Sequence, residues 1–280
     1  MRRSCWWVLA VVLLASCSRA AAQQPGMEQP LVDTAGTIRL PLDRYVASAA
    51  DVAEMGRGYR ALLHRCMASF GYDFPPAGLV GPAGPSDRNE SRYGLTDAVA
   101  AATRGYRPAG NRAVPKLPDL PAPAQAALNG DAATVGGHPV PAGGCGGQAS
   151  RGISGAVPAG ADPTLGDQLA SESFARSRAD ARVTAAISRW SACMGAAGHP
   201  YRSPTDPPRD PAFRGPLTAA EKATATADVR CKEQTGLVAA WAAVEAEYQR
   251  ALIASNAGAL DRAARAVHAE VAAARAALNP

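Results

Sequence analysis

The feature that most limits this chain is a helix-ending unit that it carries twice. Cys66-Met67-Ala68-Ser69-Phe70-Gly71-Tyr72-Asp73-Phe74-Pro75 is echoed by Cys193-Met194-Gly195-Ala196-Ala197-Gly198-His199-Pro200-Tyr201. Each unit has Cys-Met, three residues, Gly, two residues and an aromatic, with a proline beside it. A helical pattern leads into both, through Val52, Met55, Tyr59, Leu62 and Leu63 in the first and Val183, Ile187 and Trp190 in the second. A glycine at that distance is placed to be the left-handed residue that ends a helix. Each cysteine then lies on a buried face one turn from a helix end, where it can tie that end to another segment. Coincidence of composition is the competing reading, and two copies are too few for a solenoid.

The cysteines also speak to compartment. Arg2 and Arg3 precede an apolar run from Trp6 to Ala15, the pattern of an export signal and too short to span a bilayer. Leu14-Ala15-Ser16-Cys17 then resembles the lipobox of bacterial lipoproteins, which implies lipidation of Cys17 and a membrane as partner. Cleavage after Ala20-Ala21-Ala22, giving an ordinary secreted protein, is the alternative. Cys5 would leave with the signal, so Cys66, Cys145, Cys193 and Cys231 remain. Four cysteines in an exported chain most simply form two disulfides, with three connectivities open. One bridge per half, Cys66–Cys145 and Cys193–Cys231, is preferred.

The expected organisation is a signal over 1–16, a flexible tether over 17–40, an N-terminal helix with a disulfide-clasped region over 41–164, and a helical region over 165–280. About a third of the residues between Pro75 and Pro163 are Gly or Pro, which forbids long helices there. Short helices remain open to Leu95–Arg104 and Pro123–Leu128. Gly143-Gly144-Cys145-Gly146-Gly147 reads as a disulfide on a tight loop, since neither a P-loop nor a dinucleotide spacing is present. One helix is expected from about Leu165 or Ser173 to Ala197, then a proline-rich crossing over Pro200–Pro216. Thr218-Ala219-Ala220-Glu221 has the form of a capping box. The helix after it carries Leu237, Trp241, Val244 and Tyr248, with a break permitted over Ser255–Gly258. Leu260, Val267, Val271 and Leu278 continue as a narrow stripe, read as an intramolecular seam by default and otherwise as an interaction stripe for a partner.

Alanine supplies nearly a quarter of the chain, and aromatics only 5%. Thin helices packed closely together suit that composition; a β-sandwich or barrel does not. The expected fold class is therefore all-α, helical hairpins or a bundle stapled by two disulfides around a Gly/Pro-rich middle. A formal charge of +5 with both signs well mixed argues against nucleic acid as a partner.

Little points to chemistry. His64 and Cys66, two apart on a helix, face different ways and cannot act as a nucleophile pair. His138, His199 and His268 stand in no metal-ligand spacing, and no G-x-S-x-G elbow occurs. No cofactor, metal site or catalytic residue is expected. Trp190 and Trp241 read as core rather than as a glycan platform, because each lies on an apolar helix face.

Tyr93-Gly94-Leu95-Thr96-Asp97, Gly144-Cys145-Gly146-Gly147-Gln148-Ala149, Trp190-Ser191-Ala192-Cys193-Met194 and Ala227-Asp228-Val229-Arg230-Cys231-Lys232 resemble a family of actinobacterial secreted proteins and lipoproteins. The resemblance spans roughly residues 40–256. It implies helical envelope proteins with structural cysteines and supplies no catalytic residues. The expected function is a lipid-anchored, non-catalytic binding or interaction module on the outer face of the membrane, with an unidentified envelope protein or ligand. Two rivals stand beside it: an accessory subunit docking through the C-terminal stripe, and an envelope enzyme using His138 or His199.

Overall fold

The computed structural model describes residues 31–33, 37–76, 87–108 and 117–279. The expected signal, Cys17 and the tether as far as residue 30 lie outside them. Eight α-helices carry the described residues: α1 (Ala49–Ser69), α2 (Ala98–Arg104), α3 (Ala122–Asn129), α4 (Gly144–Ser154), α5 (Leu165–Ala179), α6 (Ala181–Ala196), α7 (Ala219–Thr235) and α8 (Leu237–Leu278). A two-residue antiparallel hairpin, β1 (Thr134–Val135) with β2 (His138–Pro139), joins α3 to α4. The all-α class expected from composition is the one observed. No helix among the described residues is long and apolar enough to cross a membrane.

The architecture is organised by α8. Its 42 residues make a rod of roughly 60 Å at about 1.5 Å per residue. The break permitted at Ser255–Gly258 does not occur. Ser255 and Asn256 instead turn their side chains back onto the carbonyls of Ala251 and Leu252, at 3.1 and 2.8 Å. Leu252 and Leu260, on either side, are both buried against Leu42, Tyr45 and Leu169. Packing on both flanks outweighs the roughly 1 kcal/mol that Gly258 costs a helix.

The rod serves two cores. Its N-terminal half packs with α5, α6 and α7 around Val183, Trp190, Met194, Leu237 and Trp241. The Trp241 ring stacks on Phe174 at 5.3 Å, and its Nε1 donates to Ser177 Oγ at 3.0 Å. Trp190 is equally buried, so both tryptophans are core residues, as their helix faces predict. The C-terminal half of α8 packs on α1 and α4, beside a second core built from Leu63, Met67, Phe74, Ala124, Ala127 and Ala149. Each core holds one disulfide, Cys193–Cys231 in the first and Cys66–Cys145 in the second, with Cα separations of 5.7 and 5.5 Å. The preferred pairing is the observed one.

The repeated unit is a repeated structure. Gly71 and Gly198 have φ of +84° and +85°. The following amides, Tyr72 N and His199 N, donate to Met67 O and Met194 O at 3.0 and 2.8 Å, closing both helices the same way. Both methionines are fully buried. The match also extends beyond the sequence signal. The residue two before each cysteine reaches a carbonyl of the returning chain, Ser191 Oγ to Tyr201 O at 2.7 Å and His64 Nδ1 to Pro75 O at 3.1 Å.

Several local expectations are corrected. Residues 37–40, read as the end of the tether, belong to the fold: Arg39 N donates to Leu31 O at 2.8 Å, and Ile38 and Leu40 are core residues. Cys145 sits in the first turn of α4, not on a tight loop. The glycines before it serve close approach, since a Cβ on Gly144 would lie 2.2 Å from Leu128 O. The single helix expected over 165–197 is two, because Asp180 turns extended (ψ 137°) and caps α6 by accepting from Arg182 N at 2.9 Å. The Arg182 guanidinium, and after it that backbone bond, hold its carboxyl at about 2. The capping box is half made: Thr218 Oγ1 accepts from Glu221 N at 3.0 Å, while the Glu221 side chain is drawn away to Arg107.

The stripe proposed for a partner is largely covered. Leu260, Val267 and Val271 are buried, Ala263, Ala266 and Ala274 beside them are fully so, and only Leu278 is exposed. Much of that cover is α1. The intramolecular seam is the correct reading, and the motive for docking through this face is gone. Alanine makes the seam narrow enough for Gly58, where a Cβ would come within 2.6 Å of the Ala274 backbone. Gly58→Ala is therefore expected to lower stability by about 1–3 kcal/mol in urea unfolding, although alanine is the better helix former. An unchanged midpoint would mean that α1 does not rest on α8 at this point.

Candidate functional site

Three carboxylates of α7 and α8 are buried, and all three are committed to one stretch of chain, residues 87–107. Glu245 accepts from Arg92 Nε at 2.9 Å, Tyr93 OH at 2.9 Å, and Ser173 Oγ and Gln249 Nε2 at 3.1 Å each. Arg92 Nη2 also donates to Ala170 O at 2.7 Å, so this ion pair has little hydrogen-bonding capacity left unmet. Asp228 accepts from Trp190 Nε1 at 2.9 Å, from Lys232 Nζ at 3.0 Å and, more loosely, from Tyr106 OH at 3.4 Å. Lys232 Nζ spends a second donor on Leu95 O at 2.8 Å. Glu221 accepts from Arg107 Nη2 at 2.9 Å and from Tyr106 N at 3.3 Å.

Electrostatics follow from burial. Removal from water pushes the Asp228 carboxyl up, against the pull of Lys232, and pushes the Lys232 ammonium down. The Tyr93 and Tyr106 hydroxyls are raised by burial first and by the neighbouring carboxylate second, which keeps both protonated and donating. Upstream, Asn89 Nδ2 bonds Ile38 O at 3.2 Å and Asp43 Oδ2 at 2.8 Å, fixing the start of the same stretch.

In front of this bracing lies a cleft of about 560 Å³, walled by residues 87–97, by the end of α2 and the residues after it, and by the proline-rich crossing at Thr205–Arg209. Asp87, Glu90 and Asp97 bring negative charge to it, and Arg104, Arg107 and Arg209 bring positive charge. Ser91, Thr96 and Thr205 add hydroxyls. The Tyr106 ring, stacked on Phe213 at 5.9 Å, gives one flat surface. Such a site can orient a polar ligand; the volume suits a small molecule or a short peptide.

The residues singled out from the sequence lie elsewhere. His138 is an exposed residue of β2 with Phe70 at its edge, 6.4 Å between ring centres, and His199 meets Thr224 Oγ1 at 3.1 Å. Neither lines the cleft. No cluster of three or more metal-ligating side chains exists among the described residues. The buried carboxylates were missed. One signal for them was present: Lys232 is one of three lysines in the chain and stands four residues after Asp228. Residues 93–97 and 227–232 meet at the bond between Lys232 and Leu95. Compared with protein-family models, curated proteins and solved structures, the chain matches none.

Proposed function

We propose that this protein is an exported, lipid-anchored binding module of the cell envelope that holds a small polar ligand in the cleft formed by residues 87–107. The observation that carries the reading is the bracing. Three buried carboxylates, each costly to desolvate, converge on the stretch that forms the cleft wall. Preorganisation of that kind lowers the ordering cost of binding. The carboxylates are tied up in hydrogen bonds, which suits positioning better than proton transfer. The lipobox at Leu14–Cys17 and the two disulfides support an extracytoplasmic position. Two acyl anchors on Cys17 would hold the protein at a membrane stably where one short chain would not.

Mass spectrometry of the mature N-terminus tests the anchor: a diacylglyceryl Cys17 is expected, and an unmodified start at Gln23 overturns it. The cleft is tested separately in intact cells with a photo-crosslinking side chain at Thr96 and another at exposed Arg230 as reference. Adducts at Thr96 alone are expected. Equal adducts at both positions, or none, would remove the cleft from consideration.

A further inference from the structure

The most firmly held part of the cleft wall is an aromatic ring. Tyr106 is fixed at two points by buried carboxylates of α7: its N donates to Glu221 Oε1 at 3.3 Å and its OH to Asp228 Oδ2 at 3.4 Å. Phe213, which does not line the cleft, covers one face of the ring at 5.9 Å, so Tyr106 meets the cleft in one orientation. Around the ring stand groups of both charges. Asp87 Oδ1 accepts from Asn89 N at 2.7 Å, and Asp97 Oδ1 from Val99 N and Ala100 N at 2.8 and 3.0 Å. The second oxygen of each carboxylate has no hydrogen-bond partner among the described residues. Arg104 spends Nη1 on Arg107 O at 3.2 Å. Arg209 is tied by its backbone N to Asp206 O at 2.9 Å, while its guanidinium bonds no described residue.

We infer that the cleft takes an uncharged saccharide, with a sugar ring laid on Tyr106 and its hydroxyls shared between the carboxylates and the guanidinia. A simple anion would meet Asp87 and Asp97 and a simple cation would meet Arg104 and Arg209, so either would lose to repulsion part of what it gained. A carboxylate only accepts and a guanidinium only donates, whereas a hydroxyl does both. A polyhydroxylated ligand therefore bonds either charge wherever it stands along the wall. The carbon-bound hydrogens of a sugar ring form an apolar face, and a tyrosine ring held by its polar tip offers the matching surface. The inference rests on the cleft being a binding site, as proposed above, and adds the ligand's chemical class.

Two measurements test it. The first is the mass of what a diazirine side chain at Thr96 captures in intact cells. A sugar-bearing adduct is expected, with one discrete mass for a free saccharide and a ladder of sugar increments for a polymer. A peptide, nucleotide or phosphorylated adduct overturns the inference and leaves the cleft a binding site; no adduct removes the site and the inference with it. The second is calorimetric titration of the full lipidated protein, in a sugar-free detergent, with neutral oligosaccharides released from the same cells' envelope. Binding is expected, and raising the salt from about 0.05 to about 0.5 M should leave the affinity within about twofold, because an uncharged ligand has no ion pair to screen. Arg209→Ala, at an exposed position, should weaken it about tenfold through loss of a charge-assisted hydrogen bond. Tyr106→Leu should weaken it by a similar factor, and Tyr106→Phe, which keeps the ring, should not. No heat with the oligosaccharides, a salt dependence of tenfold or more, or an affinity indifferent to both Arg209→Ala and Tyr106→Leu overturns the inference.

Discussion

Replacing Asp228 by alanine is expected to destabilise the protein by about 3–5 kcal/mol, the usual cost of breaking a buried ion pair from one side. Lys232 is almost wholly buried, and Asp228 is its only charged partner among the described residues. The substitution also strands the donors of Trp190 and Tyr106. Nothing about the pair itself requires such a loss. Asp228→Leu together with Lys232→Met removes both charges, and the double variant should recover the part of the loss that comes from the stranded ammonium, while the Trp190 and Tyr106 donors stay unpaired and keep it below wild type. Equilibrium denaturation of both variants checks this. If the single variant lies within about 0.5 kcal/mol of wild type, the range of an ordinary surface change, the pair does not brace the fold. The double variant carries a second expectation. Without Lys232 the Leu95 carbonyl loses its donor, so the cleft wall should loosen even where part of the global stability returns, and amide exchange over residues 93–97 should rise.

That pair marks the limit of what the sequence made legible. The helix ends at Gly71 and Gly198 were readable because a left-handed residue has a strong residue preference and a fixed distance from what it terminates. The disulfide pairing followed from those ends with one choice, a bridge in each half. Asp180 was harder: an aspartate between two alanine-rich stretches reads as a helix residue unless its own capping bond is known. Ser255–Gly258 erred the other way, because local propensity is worth about 1 kcal/mol and burial of Leu252 and Leu260 is worth more. The bracing of the cleft was not legible at all. Glu245 is set among Ala, Tyr and Gln on a helix with no internal partner of opposite charge one turn away, and its arginine lies 153 residues upstream. Long-range complementarity of that kind leaves no periodic trace. The Asp228–Lys232 spacing did leave one, yet a pair four apart is usually an exposed one, worth only a few tenths of a kcal/mol.

Removing the Cys66–Cys145 bridge is expected to cost about 4 kcal/mol and to act locally. The cysteines are 79 positions apart, and closing a loop of that size in the unfolded chain accounts for a loss of this order. Locality follows from how unevenly the two cores are filled. Around Cys193–Cys231, two fully buried tryptophans, Tyr93 and Leu237 pack regardless of the bridge. Around Cys66–Cys145, α3 contributes Ala124 and Ala127 as its buried side chains, and α4 contributes Ala149 beside the cysteine itself. Alanine faces allow close approach and bury little apolar area, so the layer formed by α3, the hairpin and α4 leans on the sulfur link. In the Cys66→Ala/Cys145→Ala variant, amides of residues 122–154 should therefore lose protection first, while those of α5 to α7 remain close to wild type. The Cys193→Ala/Cys231→Ala variant should lower the global midpoint without singling out a segment, because α6 and α7 stay joined through Trp190 and Asp228. Uniform loss of protection in the first variant, or an unchanged α4, would show that the alanine layer holds by packing alone.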